Sequence, residues 1–151
     1  MKRTIILLSI LSFAMLNLIA QENVNNFIPD NNKIIWQKVF ETNLDKTELV
    51  NLIKESGLFE NYEIEDDKIL GQMIPVDADF KGAGYGEMST PMYIARSFFD
   101  GYVIIEFKEA RYRVTVKNIM LTQQYDDGLS KEGEKTTIET YAIKSGKNEI
   151  K

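Results

Sequence analysis

The stretch from Gly101 to Leu121 (GYVIIEFKEARYRVTVKNIML) constrains the fold more than any other part of the chain. In its second half Tyr112, Val114 and Val116 alternate with polar residues, which is the period of a strand with one buried face. Its first half carries an apolar residue at every second position as well. The pattern therefore predicts an antiparallel hairpin.

The turn of this hairpin is predicted at Glu109 and Ala110, because a two-residue loop pairs apolar with apolar residues across the strands. The pairs are Phe107 with Tyr112, Ile105 with Val114, and Val103 with Val116. On the opposite face Glu106 then lies across from Arg113. A three-residue loop would set the apolar residues against arginines and is excluded. A type I′ turn prefers Asn or Gly, which this turn lacks, so a four-residue loop from Lys108 to Arg111 with the same register stays open.

Residues 1–20 are predicted to be a signal peptide. Lys2 and Arg3 precede an apolar run from Ile5 to Leu18, and polar residues begin at Gln21. A membrane anchor is the alternative, but the run is short for a span and contains a polar Asn17. The chain has no cysteine, so a lipid anchor on cysteine is excluded. We expect a soluble, exported product, periplasmic or extracellular.

The composition of the expected mature chain excludes several functions. Without Lys2 and Arg3, 16 basic residues remain against 23 acidic ones, a net charge of −7. Such a chain repels phosphate backbones, which disfavours nucleic-acid binding. The sequence has no histidine and no cysteine, so catalytic triads, thiolate catalysis and the usual zinc sites are excluded. We expect no cofactor.

The rest of the chain is predicted to form one domain over residues 33–145. Residues 21–32 are Asn-rich and are assigned to a flexible leader, and residues 146–151 to a polar tail. Lys33 to Glu41 (KIIWQKVFE) is predicted as a strand, with Trp36 as a core anchor. Residues 46–56 are predicted as a helix with an apolar stripe that packs on the sheet. Asp45 and Glu48 form its capping box, Gly57 ends it, and the stripe comprises Leu49, Val50, Leu52 and Ile53.

Shorter elements are predicted around this helix and the hairpin. Tyr62 to Ile64 and Lys68 to Val76 are expected to be strands, the first of them at a sheet edge. A flexible loop follows, with glycines at 82, 84 and 86 in a spacing that fits neither nucleotide-binding fingerprint. For residues 90–99 the sequence pattern does not decide between a short helix and an edge strand. At Asn118 the apolar pattern changes parity, which indicates a bulge or a strand end, and Thr136 to Ile143 is expected to be the last strand.

The order of these elements, and above all the segment FKEARYRVTV from Phe107 to Val116, resembles an exported bacterial domain family of unknown function with a TBP-like (TATA-box-binding-protein-like) fold. The similarity runs from Lys33 to Leu121, and Ala110 stands where the family's pattern usually has glycine. The resemblance implies an α+β fold, a curved antiparallel sheet with one or two helices on one face. It also implies a signal peptide and a Gram-negative envelope setting, but no activity and no DNA binding.

Carboxylates are the reactive groups that the sequence still offers. The pairs Asp66 with Asp67, Asp77 with Asp79, and Asp126 with Asp127 would suit calcium or an acid and base pair of a glycoside hydrolase. Solvated turn residues are the simpler interpretation, since none has EF-hand spacing. Two functions follow: a non-enzymatic envelope module that binds a protein or small ligand or has a structural role, or a carboxylate-based hydrolase or calcium-dependent glycan-binding protein.

A possible interaction surface lies on the polar face of the hairpin. Its predicted members are Tyr102, Arg111, Arg113 and Lys117. The two arginines are suited to bind an anion, but Glu106 is near enough to pair with them instead.

Overall fold

The computed structural model describes residues 25–126, 128, 130–144 and 149–151. The predicted signal peptide therefore lies outside the described residues. In this described part of the chain, eight strands form one open antiparallel sheet: β1 (Phe27–Asp30), β2 (Lys33–Glu41), β3 (Phe59–Ile64), β4 (Lys68–Met73), β5 (Val76–Asp77), β6 (Ser97–Lys108), β7 (Arg111–Gln123) and β8 (Lys135–Thr137). Their order is β1-β2-β7-β6-β4-β3, with β5 paired to β6 and β8 paired to β7.

Three short α-helices accompany the sheet: α1 (Lys46–Glu55), α2 (Met92–Ala95) and α3 (Glu139–Ala142). One face of the sheet carries Val103, Ile105 and the other odd-numbered residues of β6, and we call it the helix face because all three helices lie on it. The opposite face carries Tyr102, Ile104 and Glu106, and we call it the outer face. The predicted α+β class with an antiparallel sheet is confirmed.

The predicted hairpin register is confirmed in full. Phe107 lies opposite Tyr112, and Glu106 lies opposite Arg113. The turn has two residues, of which only Ala110 has a positive φ (57°), so it is not the type I′ turn, which needs positive φ at both positions. Both strands are longer than predicted, since the first begins at Ser97 and the second continues to Gln123.

The parity change at Asn118 is a β-bulge. Tyr102 pairs with Lys117 and Asp100 with Met120, so β7 carries one extra residue opposite Gly101, and Asn118 has a φ of 51°. The extra residue restores Ile119 and Leu121 to the helix face, where they are 7% and 1% exposed.

Helix α1 begins as predicted and ends at Glu55, one residue before the predicted end. Asp45 accepts a hydrogen bond from the Glu48 backbone N–H and the Glu48 side chain accepts one from the Asp45 N–H, which completes the capping box. Gly57, with a φ of 67°, follows the helix in the left-handed conformation. Leu49 and Val50 are buried, but Leu52, assigned to the apolar stripe, is 57% exposed.

The core beneath α1 joins the helix to the middle of the sheet. Val50 packs with Ile69, Val103 and Ile105, and Ile53 packs against this cluster. The cluster covers only one half of the helix face. The other half lies beneath α2 and α3.

Three segments differ from their sequence predictions. β1 lies within the segment assigned to a leader, so the sheet begins earlier than the pattern indicates. The strand predicted over 68–76 is interrupted at Ile74 and Pro75, because proline has no N–H for the ladder. Residues 90–99, open between a helix and a strand, contain both: α2, and then the first residues of β6.

The predicted last strand is shorter and ends in a helix. β8 stops at Thr137, and the chain then turns into α3. Ile138 and Ala142 are four residues apart and line the same cleft, which is the spacing of one helix face. Packing thus overrides the β propensity of this segment.

Candidate functional site

An apolar cleft of about 450 Å³ lies between the helix face and the two small helices α2 and α3. Its floor is one end of the central part of the sheet, where β7 lies between β2 and β6. Ile34 and Leu121, both 1% exposed, form the base of this floor, and Trp36, Phe99 and Val116 surround them. Trp36 was predicted to be a core anchor, and it lies on the helix face half-buried at the cleft.

The walls of the cleft come from segments far apart in the chain. Tyr93 and Ile94 of α2 form one wall, and Ile138 and Ala142 form the other. The ring of Tyr93 is stacked on that of Tyr141, with centroids 4.2 Å apart and an interplanar angle of 2°. This stacked pair connects the two helices. Such aromatic pairs contribute about 0.5–1.5 kcal/mol beyond the apolar area they bury.

Helix α3 is held in place by one carboxylate and by the end of the chain. Oε1 of Glu139 accepts a hydrogen bond of 2.9 Å from the backbone N–H of Ile34, at the buried end of β2. The Lys151 N–H donates to the Ala142 carbonyl, and a bridge to Ile143 brings Ile150 to the wall of the cleft. The described part of the predicted polar tail therefore contributes to the cleft.

A second cavity of about 310 Å³, which we call the loop cavity, adjoins the cleft. Ala78 and Ile94 line both spaces. The remaining wall of the loop cavity is formed by residues 79–91, including Phe80, Ala83 and Tyr85. The two spaces are therefore neighbours along one side of α2.

The glycine-containing loop beside this cavity is organised by its own hydrogen bonds. The N–H of Gly82 donates to Oδ1 of Asp79 at 2.8 Å, and that of Gly86 donates to the Ser89 hydroxyl at 3.0 Å. The N–H of Gly84 donates to the Lys81 carbonyl. The three glycine N–H groups are thus engaged within the loop, which agrees with the absence of a nucleotide fingerprint.

The predicted interaction surface lies on the outer face. Nε and Nη2 of Arg113 each donate a 2.8 Å hydrogen bond to the Glu106 carboxylate, a bidentate pair. These hydrogen bonds lower the pKa of Glu106 and raise that of Arg113. Arg113 therefore pairs with Glu106 across the strands, which is the alternative to anion binding that the sequence predicted.

A shallow depression of about 330 Å³ brings two of the four predicted residues together. Arg113 and Lys117 line it, whereas Tyr102 and Arg111 do not. At its centre Thr115 is 3% exposed and its hydroxyl accepts a 3.0 Å hydrogen bond from the Gln37 side chain. Ile35, Leu70 and Ile104 form the apolar part of its lining.

Of the remaining two predicted residues, Tyr102 and Arg111, the first is the cross-strand neighbour of Lys117. Arg111 lies at the hairpin end, opposite Lys108 on one side and Glu41 on the other. The four residues thus share one face of the sheet but not one pocket.

Three of the carboxylates of the alternative prediction accept hydrogen bonds within the chain. Asp79 caps its own loop, Asp126 accepts a 2.7 Å hydrogen bond from the Glu132 N–H, and Asp77 accepts one from the Gln124 side chain. Among the residues that the structure describes, no group of three or more acidic residues is placed to hold a metal ion. Asp127 lies outside the described residues.

Comparison with known proteins gave no match to a family model, a curated protein or a solved structure. Within the described part of the chain, no helix has the length and apolar character needed to cross a membrane.

Sequence reasoning identified the outer face and missed the cleft. The lining of the cleft comes from positions between Phe27 and Ile150, and no local motif connects them. The spacing of Ile138 and Ala142 gave no signal either, because residues four apart share a face in a helix and in a strand alike.

Proposed function

We propose that the protein is an exported, non-enzymatic binding module of the cell envelope, and that its cleft takes up a small apolar ligand. The observation that carries this proposal is a cleft of about 450 Å³ whose lining is apolar apart from the Tyr93 side chain. Ligand sites in proteins are mostly apolar concavities of roughly 300–1,000 Å³, and this cleft lies within that range.

The unfilled volume is the physical reason for preferring a ligand to a purely structural role. Protein interiors are packed to the density of organic crystals, because every void removes dispersion contacts from the side chains around it. Half-buried Trp36, Phe99 and Tyr93 leave apolar surface in contact with solvent at the cleft. An apolar ligand would remove this surface from water, at roughly 25 cal/mol for each Å² buried.

Two sequence features support the envelope setting. The segment from Met1 to Ala20 has the organisation of a signal peptide. The segment from Phe107 to Val116 resembles the exported family with a TBP-like fold. We extend the proposal to membership of that family, which implies no activity.

The alternative, a carboxylate-based hydrolase or calcium-dependent glycan-binding protein, has no observation of its own in favour. Asp77, Asp79 and Asp126 each accept a hydrogen bond within the chain. We therefore expect the melting temperature to stay unchanged when calcium is titrated into the protein. A rise in melting temperature with calcium concentration would favour the alternative.

The cleft offers its own reporter for a binding test. Trp36 is the only tryptophan in the chain and it lines the cleft. N-phenyl-1-naphthylamine, a neutral apolar fluorophore, should quench Trp36 emission by energy transfer, gain fluorescence itself and raise the melting temperature. A probe that gains no fluorescence and leaves Trp36 unchanged at saturating concentration would contradict the proposal.

Two matched variants locate the probe. Ala142→Phe adds an aromatic ring inside the cleft and should weaken probe binding. Val39→Phe adds the same ring on the outer face, where Val39 is 53% exposed, and should leave binding unchanged. Equal loss of binding in both variants, or loss only in Val39→Phe, would place the probe elsewhere and contradict the proposal.

A further inference from the structure

The geometry points to an uncharged, elongated ligand that occupies the cleft and continues into the loop cavity, with its polar end beside Tyr85 and Asp79. This inference rests on the proposed function, which it deepens by naming the chemical class of the ligand. A long-chain alcohol represents that class.

The length of the ligand follows from the way the two spaces adjoin. Ala78 and Ile94 line both the cleft and the loop cavity. The two spaces therefore meet at these two side chains. The other residues that line the loop cavity include Phe80, Ala83 and Tyr85. A compact ligand would fill the cleft alone, whereas a chain-like ligand would bury apolar surface in both spaces.

The neutral character of the ligand follows from the charges around the two spaces. No lysine or arginine is among the described residues that line the cleft or the loop cavity, and the charged residue in these linings is Asp79. The nearby Lys81 is paired at 2.8 Å with Glu87, and this pairing raises the pKa of Lys81 and lowers that of Glu87. A carboxylate at the end of the ligand would meet Asp79, whereas the described linings offer it no lysine or arginine.

Polar groups for an uncharged end are present in the lining of the loop cavity. Tyr85 is 60% exposed and presents a hydroxyl that both donates and accepts hydrogen bonds. The Asp79 carboxylate, which already accepts from the Gly82 N–H, has further acceptor capacity for a ligand hydroxyl. An alcohol satisfies both groups and leaves no charge unpaired.

The test measures how affinity depends on chain length. Hexanol, octanol, decanol and dodecanol are titrated into the purified protein, with Trp36 fluorescence as the readout. Burial of each added methylene should strengthen binding about fourfold, until both spaces are filled. Dodecanoate, which has a chain of the same length and a negative end, should bind more weakly than dodecanol.

Two variants separate the loop cavity from the cleft. Ala83→Phe narrows the loop cavity, so the gain in affinity with chain length should stop at a shorter alcohol than in the wild-type protein, while the naphthylamine probe in the cleft keeps its wild-type affinity. Ala83→Leu tests the same point if the larger ring prevents folding. Asp79→Asn keeps the acceptor for the Gly82 N–H and removes the charge, so the preference for dodecanol over dodecanoate should fall about two- to fivefold.

The outcomes distinguish this inference from the proposed function. If hexanol and the naphthylamine probe bind but longer alcohols gain nothing, or if both Ala83 variants retain the full gain, the elongated ligand is refuted and the apolar binding module stands. If dodecanoate binds as tightly as dodecanol to the wild-type protein, the neutral ligand is refuted. If neither the probe nor any alcohol binds, the proposed function itself fails.

Discussion

The bulge opposite Gly101 allows a stability effect to be worked out atom by atom. A Cβ at residue 101 would lie 2.9 Å from Cγ1 of Val116 and 3.1 Å from the Lys117 carbonyl oxygen. The first contact is closer than real Cβ atoms allow, and the second is with backbone that the ladder holds in place. Val116 is β-branched and has few other rotamers to adopt. Gly101→Ala therefore forces the bulge or Val116 to move.

The magnitude follows from two opposing effects. Overpacking of this kind costs about 1–3 kcal/mol, whereas replacing glycine by alanine stabilises by about 0.4–1 kcal/mol through the unfolded chain. We expect Gly101→Ala to lower the free energy of unfolding by about 1–2 kcal/mol. Urea denaturation should show a lower midpoint with an unchanged slope. Because Val116 also lines the cleft, the naphthylamine probe should bind more weakly.

Gly86→Ala is the matched control. Gly86 has a φ of −86°, and the nearest atom to an added Cβ is the Ser89 hydroxyl oxygen at 3.8 Å. An alanine fits there, so this variant should gain about 0.4–1 kcal/mol. If Gly101→Ala were as stable as wild type, or shifted the midpoint in the same direction as Gly86→Ala, the assignment of Gly101 to a close backbone approach would be refuted.

Three further predictions concern the hairpin and α3. Val114→Asp places a carboxylate among partly buried apolar side chains, with Ile105 and Lys38 as its cross-strand neighbours, and should destabilise the domain by about 1–3 kcal/mol in urea denaturation. Arg113→Ala removes an exposed ion pair and should cost less than about 1 kcal/mol. Arg113 lowers the pKa of Glu106, so the pair stabilises the fold above the ordinary carboxyl pKa. This contribution is lost as the pH falls through the lowered pKa of the folded state. In this acid range, the urea midpoint of Arg113→Ala should therefore depend less on pH than that of the wild-type protein. Glu139→Ala leaves the buried N–H of Ile34 without its acceptor, so it should lower the free energy of unfolding by about 1–3 kcal/mol and weaken probe binding. Glu139→Gln keeps an acceptor and should lower the free energy of unfolding less. Equal effects of the two variants in urea denaturation would contradict the role of Glu139 as an anchor for α3.

Local patterns were sufficient where a residue's partners are near in sequence. The capping box of Asp45 and Glu48 acts within one helical turn, so the sequence alone fixed the start of α1. The hairpin register follows from apolar pairs across a two-residue turn, and Phe107 does face Tyr112. In the same way the parity change at Asn118 indicated the bulge, because a strand has a strict period of two.

Local patterns failed where a distant contact decides the conformation. Phe27 pairs with Trp36 of β2, but no residue near Phe27 indicates this pairing. The Asn-rich composition of the segment therefore led to its prediction as a flexible leader. Tyr141 belongs to a β-branched segment, yet its ring stacks on Tyr93 from another part of the chain. Leu52 has the spacing of a buried residue, yet it is 57% exposed.

The sequence by itself determined the hairpin, the capped helix, the α+β class and the absence of histidine and cysteine chemistry. Each of these depends on residue type or on neighbours a few positions away. Only the tertiary structure decided that the sheet has two different faces, one with Arg113 and Lys117 and one with an apolar cleft. The cleft exists because side chains from both ends of the chain and from α2 meet over β2 and β7 without filling the space, and a volume left between distant segments has no signature in the sequence.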